Sequence, residues 1–320
     1  MTVMNRSEIL FYYDINYCNP NGDPLDANKP RIDEETGKNI VTDVRLKRTI
    51  RDYLLAKGEG IFVQEIADDA GVIQDAKQRA EDFLLQDKFK LKKGNLSLAD
   101  MKKIIQKNIL EECIDVRLFG ATIPIEKSTK EKNSVTLTGP VQFKMGQSLH
   151  RVKLQYVKGT GAFASGSNMT QKTFREEYIL PYSLIGFYGI VNENAAKETN
   201  LTEEDVSKLL EGIWVGTMNL ISRSKAGQQP RLLVRVVYKE NNYHIGELDK
   251  LVSFVSDKNQ EEIRDITEGV LEIGLLLNAL EENKNKIKII QIKKDSRTIF
   301  NTDILDEVKQ RGLDVEELVF

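Results

Sequence analysis

Histidine, cysteine and tryptophan are nearly missing from this chain of 320 residues, which holds two His, two Cys and one Trp. Two cysteines, Cys18 and Cys113, cannot build a disulfide framework and suit a reducing compartment, so the expected location is the cytoplasm. His150 and His244 lie far apart and lack metal-ligand spacing, so no metal or other cofactor is expected. No apolar run approaches the about 20 residues that cross a bilayer. The start, MTVMNRSEIL, lacks the basic-then-apolar order of a secretory signal, and no membrane partner is expected. GxSxG, the P-loop and GxGxxG are all absent. The glycine-rich GTGAFASGSN (159–168) has neither the strand, the helix nor the lysine of a phosphate cradle, and reads as a loop.

What is present is ordinary for a globular chain: 40% hydrophobic and 30% charged residues. The length fits two domains or one domain with large insertions. A net charge of −3 argues against indiscriminate polyanion binding. Yet the charge is uneven. Arg45, Lys47, Arg48 and Arg51 cluster in one predicted helix, and Arg223, Lys225 and Arg231 in one loop. Acid gathers in TEEDVSKLLEG and in the final VKQRGLDVEELVF.

Bulky residues on both faces of 8–15 predict a central strand covered on two sides. Thr42 or Asp43 can cap the next helix, 43–56, whose stripe is Leu46, Ile50, Tyr53 and Leu54. Residues 61–115 read as a helical insertion broken by KFKLKKGN. A strand is predicted over 135–143 after the charged loop STKEKN. Residues 144–177 predict an extended basic hairpin standing off the body, with its tip near Gly159 to Asn168. An aromatic strand follows at 178–190, then a helix at 203–220 opened by Thr202 and Asp205 in a capping box, and a strand at 231–239. The last part predicts a long helix over about 259–282 and a strand IKIIQI. With the insertions set aside, the order is strand, helix, strand, strand, helix, strand. That makes the fold class α+β, of modified ferredoxin-like or RNA-recognition type. Such folds present an open sheet face to RNA.

Three clusters could bind an anion. The first is NPNGDPLDANKPR (19–31), with three prolines, a glycine and several Asn and Asp side chains ahead of the basic helix. Gly22 would let backbone approach a ligand, Asn21 can donate, and the helix N-terminus favours a phosphate. Arg45 and Arg48 share a face, as do Lys47 and Arg51. A solvated helix face has the same composition. The second is SRSKAGQQPR (222–231), rich in donors, at a helix end where cations also simply offset the dipole. The third is the hairpin, where Arg151 and Lys153 alternate with apolar residues and Tyr156, a pattern suited to a nucleic-acid backbone or to a half-covered surface. Asp14, Asp23, Asp26, Asp33 and Asp43 crowd the N-terminal region without metal-pair spacing, so no catalytic residue is assigned.

The run NGDP…PRIDEETGKNIVTDVRLKRTIRDYL resembles the N-terminal signature of the CRISPR-associated Cas-seven family, backbone subunits of the type I Cascade complex. It looks most like the type I-B, Csh-two-like branch, and type I-C members share NPNGDP and VTDVxLKR. FGA (119–121), SVTLTGPVQF (134–143), EEYILPYSLIGFYGIVN and SRSKAGQ extend the match. The resemblance implies a single hand-shaped domain over 1–320. Its palm core would be 1–60, 116–143 and 178–245, its helical insertion 61–115, its thumb-like hairpin 144–177, and 246–320 the C-terminal part of the palm. It implies a non-enzyme that lines up with copies of itself along a guide RNA, beside other Cascade subunits, and reaches target DNA through the guide. RNA contacts would fall on Asn21, Asp23, Arg31, Arg45, Lys47 and Arg48 in the first motif, and on Arg223, Ser224, Lys225 and Gln228 in the second. Relatives of type III cut RNA with a loop aspartate, which makes a metal-dependent ribonuclease using Asp23 or Asp33 the competing reading. A stand-alone RNA-binding module is a third.

Overall fold

A computed structural model of the chain describes residues 1–67, 71–85, 96–126, 132–160 and 174–320. The insertion's KFKLKKGN break, most of STKEKN and most of the expected hairpin tip lie outside the described residues. The first strand, β1 (Ser7–Cys18), buries Ile9, Phe11, Tyr13 and Ile15 on one face and Leu10 and Tyr12 on the other. Three short strands follow: β2 (Gly22–Asp23), β3 (Lys29–Ile32) and β4 (Lys38–Val41). Thr42 then caps α1 (Asp43–Ala56), accepting from the Arg45 N–H.

The helices α2 (Ala76–Leu85), α3 (Leu98–Glu112) and α4 (Ile114–Phe119) come next. The strands β5 (Gly120–Glu126) and β6 (Lys132–Thr138) then form a hairpin of their own. Ile123, Ile125, Val135 and Leu137 of that hairpin pack with Phe83, Met101 and Ile105 of α2 and α3. These residues form a core of their own, which includes β5 and β6 beyond residue 115, while Ile114, Leu118 and Phe119 of α4 belong to the main core. The strand expected over 135–143 is cut by Gly139 and Pro140. A proline supplies no ladder N–H, so its first part stays in the insertion and its last three residues, β7 (Val141–Phe143), join the main sheet.

The segment expected as a free hairpin over 144–177 also divides. Gly146–Arg151 is a sheet strand, β8, paired with β4 and with β10 (Phe174–Val191). Only β9 (Gln155–Thr160) pairs with the start of β10, at 174–179, as a hairpin. Charge alternation concealed this, because the buried members of β8 are polar. Ser148 accepts from the Asn39 N–H and donates to the His150 carbonyl, and the Leu184 N–H donates to His150 Nε2. Satisfied in this way, both sit inside at little cost. Burial lowers the pKa of His150, which keeps the ring neutral.

After α5 (Glu193–Thr199), the capping box of Thr202 and Asp205 opens α6 (Glu203–Met218), and β11 (Gln228–Tyr238) returns beside β1. The expected long helix over 259–282 is a correction. Asn259 and Asp265 cap two short 3-10 turns, and Gly269 with the β-branched Val270 leads into a strand, leaving only 274–282 helical. The C-terminal elements are β12 (Ser253–Val255), β13 (Val270–Glu272), α7 (Gly274–Glu282), β14 (Ile287–Lys294), α8 (Ile304–Gln310) and β15 (Val315–Glu317).

The result is an α+β fold around one large mixed sheet in the order β15-β14-β11-β1-β10-β8-β4-β3-β2. One face carries α1 and α6, through Ile50, Leu54, Leu209 and Ile213 against β1. The other is not open. Leu248, Phe254, Ile266, Leu271, Leu276 and Leu280 cover Leu10, Tyr182, Leu184 and Val234. Among the described residues no helix is long and apolar enough to cross a membrane.

Buried Asp115 ties the insertion to α1. It accepts from Arg51 Nε at 2.9 Å and from the Phe62 and Val63 N–H groups at 2.8 and 3.1 Å. Asp115→Ala leaves a largely buried guanidinium and two amides unpaired, at an expected cost of about 3–5 kcal/mol. Arg48→Ala, which breaks the exposed Arg48–Asp52 pair, should cost less than about 1 kcal/mol. Chemical denaturation of the two variants checks the contrast, and equal losses would overturn it.

Candidate nucleic-acid interface

Antiparallel pairing places the end of β1 beside the start of β11, with Ile15 opposite Gln228. The two loops singled out in the sequence therefore meet. The Asn19 N–H donates to the Ser224 carbonyl at 2.9 Å, and Lys225 Nζ donates to the Asn19 carbonyl at 2.6 Å. Asn19 Nδ2 in turn holds the Asn28 carbonyl at 2.6 Å, which closes the 19–28 loop. Gly22 serves this closure, since a Cβ there would lie 2.1 Å from Asn28 Oδ1.

Several candidates are structural pins. Asn21 Oδ1 accepts from both the N–H and the hydroxyl of Thr42, each at 2.9 Å, and so locks the loop to the cap of α1. Asp23 accepts from Arg31 at 2.7 Å and from the Leu25 N–H. Asp33 is held by the Thr36 hydroxyl and the Glu35 N–H. Lys47 is turned inward, bonded to Asp43 and Gln142 and set over the Phe119 ring, with its side chain 12% exposed. Arg48 is exposed but paired with Asp52. Ser224 contributes its carbonyl.

Arg45 and Lys225 differ from these. Among the described residues the Arg45 side chain reaches only Thr49 Oγ1, at 3.2 Å, and its Nε is enclosed without a partner. The Lys225 ammonium, among the described residues, has only the Asn19 carbonyl. Among the described residues neither has a carboxylate partner. Buried Gln228 leaves its Nε2 unpartnered at the same seam. Burial, and then the nearby Arg45 charge, push the Lys225 ammonium down to about 8. The Cys18 thiol, raised to about 12 chiefly by burial, stays protonated and offers no counter-charge. At the seam, then, two cations and an amide lie together, and among the described residues neither cation meets a carboxylate.

Arg223 extends it, reaching Glu177 at 3.3 Å on the hairpin part of β10 while staying 59% exposed. Lys29 lies 5.3 Å over the Tyr178 ring, and Tyr178 packs on exposed Tyr156. Lys29 and Tyr178 were not legible as members, because only strand pairing brings them here. The third cluster goes elsewhere. Arg151 faces Gln260 and Glu261 near Gly37, and Lys153 is exposed beside it. The basic residues therefore form one compact seam and a separate pair, and part of the α1 cluster is internal.

The family described as CRISPR-associated protein Cas7 matches residues 5–274. A protein of Haloferax volcanii named CRISPR-associated protein Cas7 is 33% identical, covering 99% of this chain and 97% of that one. Among solved structures, a chain of a CRISPR RNA-guided surveillance complex, pre-nicking, superposes with a TM-score of 0.56 at 16% identity over 98% of this chain and 96% of that one. A chain of another CRISPR RNA-guided surveillance complex gives 0.51 at 14% identity, over 96% and 98%.

The unpaired Lys225 has a stability signature. Its proton affinity is lower folded than unfolded, so the unfolded chain binds more protons between about pH 8 and the ordinary lysine range. Stability therefore rises with pH through that window. The expected outcome is that the melting-temperature gap between Lys225→Met and the parent, in favour of the variant below pH 8, narrows as pH rises toward 10. A gap that widens would reverse the assignment.

Proposed function

From the premise that this chain belongs to the Cas7 family, we propose that it is a non-catalytic subunit that grips guide RNA and polymerises along it in a Cascade-type surveillance complex, which presents the guide to target DNA. The observation that carries the reading is the Arg45–Lys225–Gln228 seam, two cations and an amide that have no carboxylate partner among the described residues, on a chain of net charge −3. A phosphodiester supplies the missing anion, and nothing in that contact depends on the base. Arg223, Arg31 and Arg48 can exchange their carboxylate partners for further phosphates, and Arg151 and Lys153 serve a neighbouring stretch of strand. Asn21, Asp23 and Ser224 hold the loops in place, and Lys47 braces α1.

The palm reading draws support from the strand order β11-β1-β10-β8 with α1 and α6 on one face, which is a ferredoxin-like arrangement. The hairpin of β9 and the first part of β10 is the thumb in this reading. Its base bears Tyr156 and Tyr178, a surface on which a displaced base can stack. Type I-B remains the branch that the sequence signature suggests. A cutting role draws no support from Asp23 or Asp33, whose carboxylates are occupied by Arg31 and Thr36.

The test is RNA binding by the purified full chain over a salt series. Arg45→Glu with Lys225→Glu should abolish most affinity for any sequence, and single neutral variants should lower the salt slope by about one per lost phosphate contact. Because phosphate favours the charged ammonium, affinity should fall as pH rises through about 8, and Lys225→Arg should flatten that dependence. Sequence-dependent binding, or binding indifferent to both positions, would refute the proposal.

A further inference from the structure

Strand β1 changes step near its end. Phe11, Tyr13 and Ile15 alternate into the core beneath α1, and Cys18 enters that same core. Ile15 and Cys18 are three residues apart, and strict alternation would send them to opposite faces. The strand does not stop there, since Asn16 still pairs with Tyr182 of β10 and Cys18 with Leu180. Tyr17 takes up the difference. Its φ of +47° lies in the left-handed region, where a bulky L side chain is strained. Among the described residues it is the one aromatic with a positive φ.

The left-handed step leaves the Tyr17 side chain in solvent, 56% exposed. Among the described residues its ring meets no other ring or cation, and its hydroxyl has no hydrogen-bond partner. A lone exposed tyrosine is ordinary. This one is held out by backbone that glycine or asparagine would adopt with less strain, and such irregularities re-aim single side chains beside working sites. Its place is equally particular, because the residues on both sides of it meet the second loop. Ile15 pairs with Gln228, the Asn16 carbonyl lies 3.4 Å from where a Gly227 Cβ would stand, and Asn19 is bonded to Ser224 and Lys225. The exposed ring therefore springs from backbone that is itself part of the cationic seam.

We infer that Tyr17 is a base-stacking residue, which takes the base of one unpaired nucleotide on its ring while the seam holds the adjoining phosphate. The inference rests on the reading of the seam as an RNA grip and adds to it the class of strand that fits. A flat apolar face beside cations suits a single strand, whose bases are free to leave their neighbours. Every base offers a face for stacking, so the contact raises affinity without selecting sequence. A duplex, with its bases stacked inside, gains nothing from it.

The test uses the purified full chain with two probes, a single-stranded RNA of mixed sequence and a base-free ribose-phosphate oligomer of the same length. Tyr17→Gly suits the local backbone, so the variant should fold and melt close to the parent. It should weaken RNA binding about ten-fold, the scale of one stacked base. The salt slope should not change, because no phosphate contact is lost. Tyr17→Phe should recover what glycine loses, since the ring and not the hydroxyl stacks. 2-Aminopurine placed in the RNA should be quenched by the parent and less by Tyr17→Gly. The base-free oligomer should bind Tyr17→Gly and the parent alike, and should lose its binding to Arg45→Glu with Lys225→Glu. RNA binding untouched by Tyr17→Gly, or an equal loss for both probes, overturns the inference. Oligomer binding indifferent to Arg45 and Lys225 refutes the seam instead, and RNA binding that still needs the Tyr17 ring would then support stacking by itself. A parent that binds no single-stranded RNA overturns both.

Discussion

The pairing of β1 with β11, in a register that sets Ile15 against Gln228, is the constraint on which the candidate interface rests. The two loops it joins are about two hundred residues apart in sequence, and neither forms a cationic site alone. Antiparallel hydrogen bonding brings the exit of one strand to the entry of the other. The Asn19 backbone then knits the loops together through Ser224 and Lys225. The core on both faces of β1 makes that register hard to shift, because a one-residue slip would turn Phe11 and Tyr13 to the wrong side.

Charge pairing sorts the basic residues that composition leaves alike. Arg51, Arg117, Arg231 and Arg235 each meet a carboxylate from within the fold. Against that background, cations without partners are conspicuous, and they coincide with enclosed amide and guanidinium nitrogens. Burying Lys225, and doing so beside Arg45, works against folding, as the depressed lysine shows. Such a cost is tolerated where another molecule supplies the opposite charge.

The parts of the fold that were legible in the sequence are those written in local pattern. Two-sided burial marked β1, side-chain caps marked α1 and α6, and the two donor-rich loops were visible by composition. Elements whose character depends on distant partners were not. Ser148 and His150 look exposed until Asn39 and Leu184 are seen to satisfy them. Lys47 and Arg48 are indistinguishable by type, and only Gln142 and Phe119, across the fold, turn the first inward. The helix expected at 259–282 shared its apolar spacing with a series of short turns that lie flat over the sheet. The open sheet face expected of the fold class was lost to the same segment, whose Leu248 to Leu280 stripe carries no local sign of where it docks.

Strand β10 is one uninterrupted run of 18 residues, about 60 Å long at ordinary strand rise. Its last two thirds, 180–191, pair with β1 and are flanked on the other side by β8, and its first third, 174–179, carries the hairpin with β9. It is built as a cantilever. The hairpin's aim is inherited from the twist of the central sheet, and a load applied at its outer end is borne by the same backbone that packs against β1. Whatever the arm touches is thereby mechanically in series with the sheet that frames the cationic seam.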